Sequence, residues 1–428
     1  MLDIKYVREH TQEVRKNLEK RRNAKILDWF DDLVKKDEEY RKLLQDEQSL
    51  RKRRNEVTDE IRQLKKEGKD ASRAMQEAKD IPGKVKEAQE KTVKIKEEVD
   101  RYLMHIPNML HESVPYGKDS SENKVMKEEG KKKKFDFKLK PHGEIAESLG
   151  MANFDDAGKN SGHGFYYLLG DLARTELALQ RLALDILIEK GFTLVEPPLM
   201  LRREPYEGVT DLADFETMMY KIENEDLYLI ATSEHPIAAM LKDKTMNEKE
   251  LPKKYAGISP CFRKELGSHG VDERGFFRVH HFNKVEMFIF CRQEDSWKMH
   301  EELLSIAESI FKKLELPYRV VNICTGDIGI VAAKKYDIEA FMPREEEYKE
   351  VVSCSNCTAY QANRLNIRYQ KGAEKMPVHT LNSTAIATSR ALRAILENYQ
   401  NKDGTVDIPK VLQPYMNGLK RLEKMRMH

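Results

Sequence analysis

Two apolar seams in the first quarter of the chain restrict its fold more than any other feature. One seam runs Ile26, Leu33, Tyr40, then Glu47 and Arg54, then Ile61 at seven-residue spacing, and a second runs Leu43, Leu50, Val57, Leu64. Repeats of this kind line one face of a helix that packs against another helix. The pattern stops at Lys65-Lys66-Glu67-Gly68-Lys69-Asp70, a polar break with a glycine. It resumes as Ala74, Ala78, Ile81, Val85, Ala88, Thr92, Ile95, Val99, Tyr102 and Ile106, with steps of alternately four and three. Two seams joined by a short turn predict an antiparallel helical hairpin. Its rising helix spans on the order of 60 Å, at about 1.5 Å per residue. So narrow a stripe makes no core of its own, which predicts an arm projecting from a globular body. Pro82-Gly83 inside the second seam predicts a kink or a helix restart, because proline removes a helical hydrogen bond. Arg51-Lys52-Arg53-Arg54 with Lys65-Lys66 make the outer half basic. A charge run usually marks a solvated face. Four consecutive cations also cover every side of a helix, which suits an arm that meets phosphates.

The length of 428 residues suggests two or three domains. With 75 Lys+Arg against 73 Asp+Glu, the net charge of +2 carries no information about nucleic acid. No apolar run of about 18 residues occurs, so no membrane span is expected. The opening MLDIKYVREH is charged, so no secretory signal is expected. Cys261, Cys291, Cys324, Cys354 and Cys357 are few and odd in number, which suits free thiols in a reducing cytoplasm. Residues 1–110 read as the arm, 111–134 as a linker marked by Pro115, Gly117 and Lys131 to Lys134, and 135–428 as a mixed α and β body.

Within the body, Tyr255 to Glu265 and Phe277 to Phe290 are rich in aromatic and β-branched residues. They flank a charged stretch with Gly267, Gly270 and Gly275. That predicts two antiparallel strands joined by a long loop. Alternation places Arg263 and Glu265 on one face, and Arg278, His280 and Phe282 on one face of the return strand. Guanidinium forks neutralise phosphate, a carboxylate accepts from an exocyclic amine, and an aromatic ring stacks on a base. A solvent-facing charged hairpin is the plainer reading of the same pattern. Leu227 to Ala231 reads as a buried strand running into Thr232-Ser233-Glu234. A hydroxyl and a carboxylate there suit a small zwitterion, and Ser233 also suits a helix N-cap. Val378 to Thr384 reads as a strand and Ala385 to Glu397 as a helix carrying Arg390. Cys354 and Cys357 invite a zinc reading. Structural zinc takes about four ligands, and no second pair accompanies them. Neither a G-x-x-x-x-G-K-[ST] nor a G-x-G-x-x-G motif occurs.

Phe262-Arg263-Lys264-Glu265, with Arg278-Val279-His280-His281-Phe282 through Glu286, resembles motif 2 of the class II aminoacyl-tRNA synthetases, in the seryl-tRNA synthetase version. Gly191 to Pro198 looks like motif 1, and the stretch around Arg390 looks like motif 3. Phe135 to Glu144, Gly326 to Pro343 and the hairpin arm are also similar to that family, so the resemblance runs over nearly the whole chain. It implies an α+β fold, with an antiparallel-sheet class II catalytic domain behind an N-terminal antiparallel coiled-coil arm. It implies activation of L-serine with ATP and Mg²⁺, transfer to tRNA(Ser), with tRNA(Sec) as a further acceptor the resemblance leaves open, a homodimer, and no membrane. Arg263 and Arg390 are the implied catalytic residues. The implied nucleotide segment comprises Arg263, Lys264, Glu265, Arg278, Val279, His280, His281, Phe282, Glu350, Val351, Val352, Ser353 and Arg390. Arg263 would meet the α-phosphate and Arg390 the γ-phosphate. Glu350 and Ser353 would hold Mg²⁺. Thr232, Ser233, Glu234, Arg263, Glu286, Asn382 and Thr384 would bind serine, and Arg51, Lys52, Arg53, Arg54, Lys65 and Lys66 the tRNA. An adenylate-forming relative that loads a carrier protein would share the body, and a coiled-coil RNA binder would share the arm.

Overall fold

A computed structural model of the chain describes residues 1–265 and 275–425, so Gly267 and Gly270 of the expected loop lie outside it. The described residues fall into two compact units, Met1–Pro107 and Asn108–His428.

The first unit opens with two short helices, α1 (Ile4–Glu9) and α2 (Thr11–Glu19), followed by α3 (Ala24–Lys66) and α4 (Ser72–His105). Helix α3 contains no glycine or proline, and its first turn is capped by the Asn23 side chain, which accepts from Lys25 N. It ends in a Schellman turn. Gly68 takes φ +65°, Lys69 N donates to Leu64 O at 2.9 Å, and Gly68 N donates to Lys65 O at 3.3 Å. The seams meet as the spacing predicts: Val57 packs with Ala74, Ile81 and Val85, and Leu33 and Val99 are buried nearer the base. Fully burying each large apolar side chain contributes about 1.5–3 kcal/mol. Two buried polar residues of α3 are matched. The carboxylate of buried Asp37 receives a fork from Arg8 at 2.7 and 2.8 Å, and Glu47 pairs with Arg51 at 2.8 Å.

Pro82 neither ends nor restarts α4, which is helical from Ser72 to His105. Pro82 and Gly83 are exposed, while Ile81 and Val85 on either side of them are buried. The donor that proline lacks is therefore missing from the solvent face, and seam packing offsets a penalty of about 3 kcal/mol.

The second unit is built on an eight-stranded sheet among the described residues. In chain order its strands are β1 (Lys124–Glu129), β2 (Thr193–Val195), β3 (Lys253–Phe262), β4 (His281–Cys291), β5 (Tyr318–Asn322), β6 (Lys334–Met342), β7 (Glu347–Thr358) and β8 (His379–Ala387). Their spatial order is β1-β5-β6-β7-β8-β4-β3-β2, antiparallel throughout except for the parallel β2–β3 pair at one edge. Residues 111–134, read from sequence as a linker, contribute the opposite edge strand, β1, whose Lys124 pairs with Asn322. The lysines there are partly structural: Lys132 lies over the rings of Phe341 and Tyr348, and Lys133 over Tyr399.

Helices α5 (Gly170–Glu189), α7 (Ser296–Lys313) and α9 (Thr388–Asn398) cover one face. Leu179, Leu187, Ile310, Phe311, Leu392 and Ile395 bury against Val285, Met287, Ile289 and Ile338 from the sheet. On the other face, two short helices, α6 (Glu234–Ala239) and α8 (Tyr360–Leu365), join Tyr206, Phe215 and Tyr228 around Phe288 and Phe290. Strand β4 shows how the alternation is used. Its odd residues from Val285 to Cys291 enter the helical layer, Phe288 and Phe290 enter the smaller cluster, and Phe282, Lys284 and Glu286 face a cleft.

Candidate active site

The cleft encloses about 300 Å³ and is lined by strands β4, β6, β7 and β8, the start of α9, and the segments around Thr232 and Arg263. It gathers eleven of the residues singled out from sequence: Thr232, Glu234, Arg263, Phe282, Glu286, Glu350, Val351, Ser353, Asn382, Thr384 and Arg390.

Two bulges make this possible. Between β6 and β7 the register shifts at Ile338/Glu339, leaving Val351 without a partner, so Glu350 and Ser353 both line the cleft despite their odd spacing. Between β8 and β4 it shifts at Thr384/Ile386, leaving Ala385 extra. Strand β8 then runs on to Ala387, and α9 begins at Thr388 rather than at Ala385 as the sequence suggested. Its N-terminus opens at Ala387 on the cleft wall, where a helix dipole favours anions.

At one end of the cleft, Glu234 Oε1 accepts from Asn382 Nδ2 and from Gln361 Nε2, both at 3.0 Å. Desolvation pushes its carboxyl up to about 7, and the neighbouring Glu286 adds to the rise. Lys284 Nζ lies 2.7 Å from Glu286 Oε2, which also accepts from Thr384 Oγ1 at 3.2 Å. Burial holds His235 neutral, down to about 3, with Lys284 and Arg263 assisting.

At the other end, Arg263 lies 5.3 Å from the centre of the Phe282 ring and donates from Nε to Ala231 O at 3.4 Å. Arg390 Nη1 meets Glu350 Oε1 at 3.1 Å and Glu350 O at 3.0 Å. Burial alone would raise the Glu350 carboxyl, but Arg390, Lys335 and Arg263 outweigh it and hold it below the usual range. Lys335 Nζ lies 3.1 Å from Asp337 Oδ2; burial opposes its charge, but Asp337 and Glu350 outweigh that and keep it cationic. Among the described residues, no group of three His, Cys, Asp or Glu side chains is placed to hold a metal ion. All five cysteines are buried, without disulfides.

Eight candidates lie elsewhere. The ladder expected to carry Arg263, Glu265, Arg278 and His280 closes at Phe262–His281, with one further bond from Arg263 N to His280 O at 3.0 Å. The return segment leaves the sheet because Phe276 is fully buried, its N–H donating to His142 Nε2 at 3.0 Å. Arg278 is therefore on an exposed loop, and the shared face expected for Arg278, His280 and Phe282 is not formed. The His280 ring stacks on Phe165 and bonds Tyr220 Oη, and the His281 ring stacks on Phe262. Val279 and Val352 are core residues. Lys264 N is tied to Met218 O, and Glu265 takes φ +27° beyond the last strand bond. Ser233 is fully buried, within 2.5 Å of where a Cβ on Gly257 would lie, and its side chain makes no cap bond; Thr232 Oγ1 accepts from Glu234 N instead.

Sequence reading missed Lys284, Lys335, Gln361 and Asp214. Lys284 had a usable signal, being a charge two residues from Glu286 in an otherwise apolar strand. It also missed the anchor of the return loop. Buried Arg393 meets Glu345 at 2.7 Å and Glu397 at 3.2 Å, and His142 Nδ1 lies 3.0 Å from the same Glu397 oxygen. Replacing Arg393 with Met takes the arginine away from the fully buried Glu397 carboxylate, while Glu345 keeps Arg344 and Lys349, so a loss of about 3 kcal/mol is expected in denaturant unfolding.

Residues 1–110 match the seryl-tRNA synthetase N-terminal domain, and residues 216–399 match the tRNA synthetase class II core domain (G, H, P, S and T). The serine--tRNA ligase of Methanocorpusculum labreanum is 59% identical over 99% of this chain and 100% of its own length. That of Methanocella arvoryzae is 57% identical over the same shares. The crystal structure of seryl-tRNA synthetase from Pyrococcus horikoshii complexed with ATP superposes with a TM-score of 0.96 at 47% identity, covering 100% of both chains. The cytoplasmic serine-tRNA ligase from Naegleria fowleri in complex with AMP gives 0.91 at 34% identity, covering 100% of this chain and 99% of that one.

Proposed function

This chain belongs to the seryl-tRNA synthetase family, and from that premise we propose how its cleft and arm carry out the two half-reactions. The chain activates L-serine with ATP to seryl-adenylate, releasing pyrophosphate, and transfers the seryl group to the 3′-end of tRNA. The observation that carries the residue assignment is a single cleft joining Glu234, Asn382 and the Thr384–Glu286 pair to Arg263, Glu350 and Arg390.

The serine carboxylate is already ionised, so the first step needs no protein nucleophile. It needs alignment, and compensation of the charge that develops on phosphate. Glu234 receives the substrate ammonium. The hydroxyl lies between Glu286 and Thr384, with Thr232 and Asn382 completing the end of the cleft. A site built to bond that hydroxyl rejects alanine, which would leave buried polar groups unpaired. Arg263 meets the α-phosphate, Phe282 stacks on adenine, and Arg390 turns from Glu350 to the γ-phosphate. Glu350 and Ser353, which both line the cleft, would hold Mg²⁺, an ion that takes few protein ligands and prefers hard oxygens. The low Glu350 carboxyl offers an ionised one at neutral pH. When bound, the ion supplies charge compensation among the phosphates.

The arm receives tRNA(Ser). Arg53 braces the hairpin through a fork to Glu77 at 2.7 and 2.8 Å, while Lys52, Arg54, Lys65 and Lys66 are exposed to meet phosphates. The chain works as a homodimer in the cytoplasm. Partly exposed Leu194, Leu199 and Met200, beside the β2 edge, support the first statement. Five free thiols support the second. Among the described residues, no helix is long and apolar enough to cross a membrane.

Exchange of labelled pyrophosphate into ATP, run without tRNA across the standard amino acids, tests the reading. Exchange is expected with serine alone. Exchange driven by a different amino acid would overturn the roles given to Glu234, Glu286 and Thr384.

A further inference from the structure

We propose that Gln361, on α8 behind the serine end of the cleft, is a positioning residue that fixes the Glu234 carboxylate as acceptor for the substrate ammonium. The inference rests on the reading of Glu234 given above. Gln361 is fully buried. Its Nε2 donates to Glu234 Oε1 and to Val209 O, each at 3.0 Å, and its Oε1 accepts from Thr380 Oγ1 at 2.6 Å. The Val209 carbonyl can only accept. Turned the other way, the amide oxygen would face that carbonyl and the Glu234 carboxylate together, acceptor against acceptor. The amide therefore has one orientation, and both its hydrogens are committed. Asn382 Nδ2 supplies a second donor to the same Glu234 oxygen. With Oε1 occupied twice, Oε2 is the oxygen left for a ligand in the cleft that Glu234 lines.

The surroundings of Glu234 explain why a neutral donor is needed there. Glu286 and Lys284 face it from β4, Arg263 from the end of β3, and the Cys357 thiol from β7; Tyr206 and the neutral His235 pack nearby. Desolvation and Glu286 favour the protonated carboxyl, whereas Lys284, Gln361 and Arg263 favour the ionised one. Gln361 adds stabilisation of the ionised form without adding a charge that would compete for the substrate carboxylate. Removing it raises the Glu234 carboxyl further. At neutral pH a smaller fraction is then ionised, and the ammonium loses its partner.

Serine-dependent pyrophosphate exchange on the full chain, followed across neutral pH, reads this directly. Gln361→Leu is expected to raise the KM for serine at pH 7 about tenfold or more, as loss of a hydrogen bond to a charged group does. The KM for ATP is expected to stay unchanged. The acidic limb of kcat/KM for serine is expected to move to higher pH. Thr380→Val removes the donor to the amide oxygen and so loosens the hold on the amide, and is expected to give a smaller change in the same direction. An unmoved limb with unchanged KM for serine would overturn the proposal, as would an equal rise in both KM values, which marks general loosening. If Gln361→Leu does not fold, the limb in Thr380→Val decides alone. If the wild-type chain shows no exchange with serine, the reading of the cleft fails instead.

Discussion

Replacing Arg263 with Ala is expected to lower serine-dependent pyrophosphate exchange about a thousandfold, in line with losing a pre-placed donor to developing phosphate charge. The affinity for tRNA is expected to stay unchanged. The side chain is held from two directions. The Phe282 ring lies 5.3 Å from its guanidinium, and the Ala231 carbonyl takes Nε. That carbonyl is itself fixed, because the preceding residue accepts from Phe262 N at 2.9 Å and ties the Thr232 segment to the end of β3. Lysine at the position keeps the charge but not the fork, so Arg263→Lys should recover only a minor part of the rate. Arg263 also stabilises the ionised forms of Glu234 and Glu350, so in Arg263→Ala the residual activity should shift to higher pH. Exchange kinetics and filter binding of labelled tRNA check both halves. An exchange rate within about tenfold of wild type would place the α-phosphate elsewhere.

Deleting residues 40–90 and closing the gap with a short flexible linker should have the opposite pattern: exchange retained, aminoacylation of tRNA lost. The cut falls where the hairpin can tolerate it. Lys36 pairs with Glu98 at 2.9 Å, and Tyr102 Oη bonds Asp32 at 3.2 Å, so the helices remain braced on the near side of the cut. What is removed is the Val57, Ala74, Ile81 and Val85 cluster and all the exposed cations of the outer half. Binding of tRNA by the full chain should weaken steeply with salt, as counterion release requires, and that slope should flatten in the deletion. Charging at the full-length rate would show that the arm does not receive tRNA.

The residues show why some of this was legible and some was not. The hairpin could be read because its two seams repeat over dozens of positions, and periodicity is the signal sequence carries best. The β3–β4 pair could be read from its aromatic and β-branched runs, whereas Glu286 was pointed out by the family resemblance and not by alternation. The cleft was harder, because its wall depends on backbone exceptions. Nothing in Glu350-Val351-Val352-Ser353 announces a bulge, yet without one Glu350 and Ser353 would point to opposite faces. Arg278 and His280 were misplaced because alternation was extended past Phe282 toward the loop, whereas the burial of Phe276 takes that segment into the core. At Pro82 the helix runs on without a restart, because the local rule yields to tertiary packing on the far side of the helix. Gln361 is a polar residue on a short helix, and only its three bonds in space distinguish it.

The buried cysteines have a practical consequence. Burial pushes the Cys291 thiol up to about 12, and raises Cys261, Cys354 and Cys357 as well. A thiol near 12 is about one part in 10⁵ thiolate at neutral pH, and only the thiolate attacks an alkylating reagent. These four thiols should thus be almost inert to such reagents in the folded body, and each alkylation event there should record a moment when the chain has opened. With opening and reclosing fast, the labelling rate of each cysteine measures the free energy of the opening that exposes it. All five lie between Cys261 and Cys357, so these native probes would follow breathing of the sheet around the cleft and stay silent to any motion of the arm.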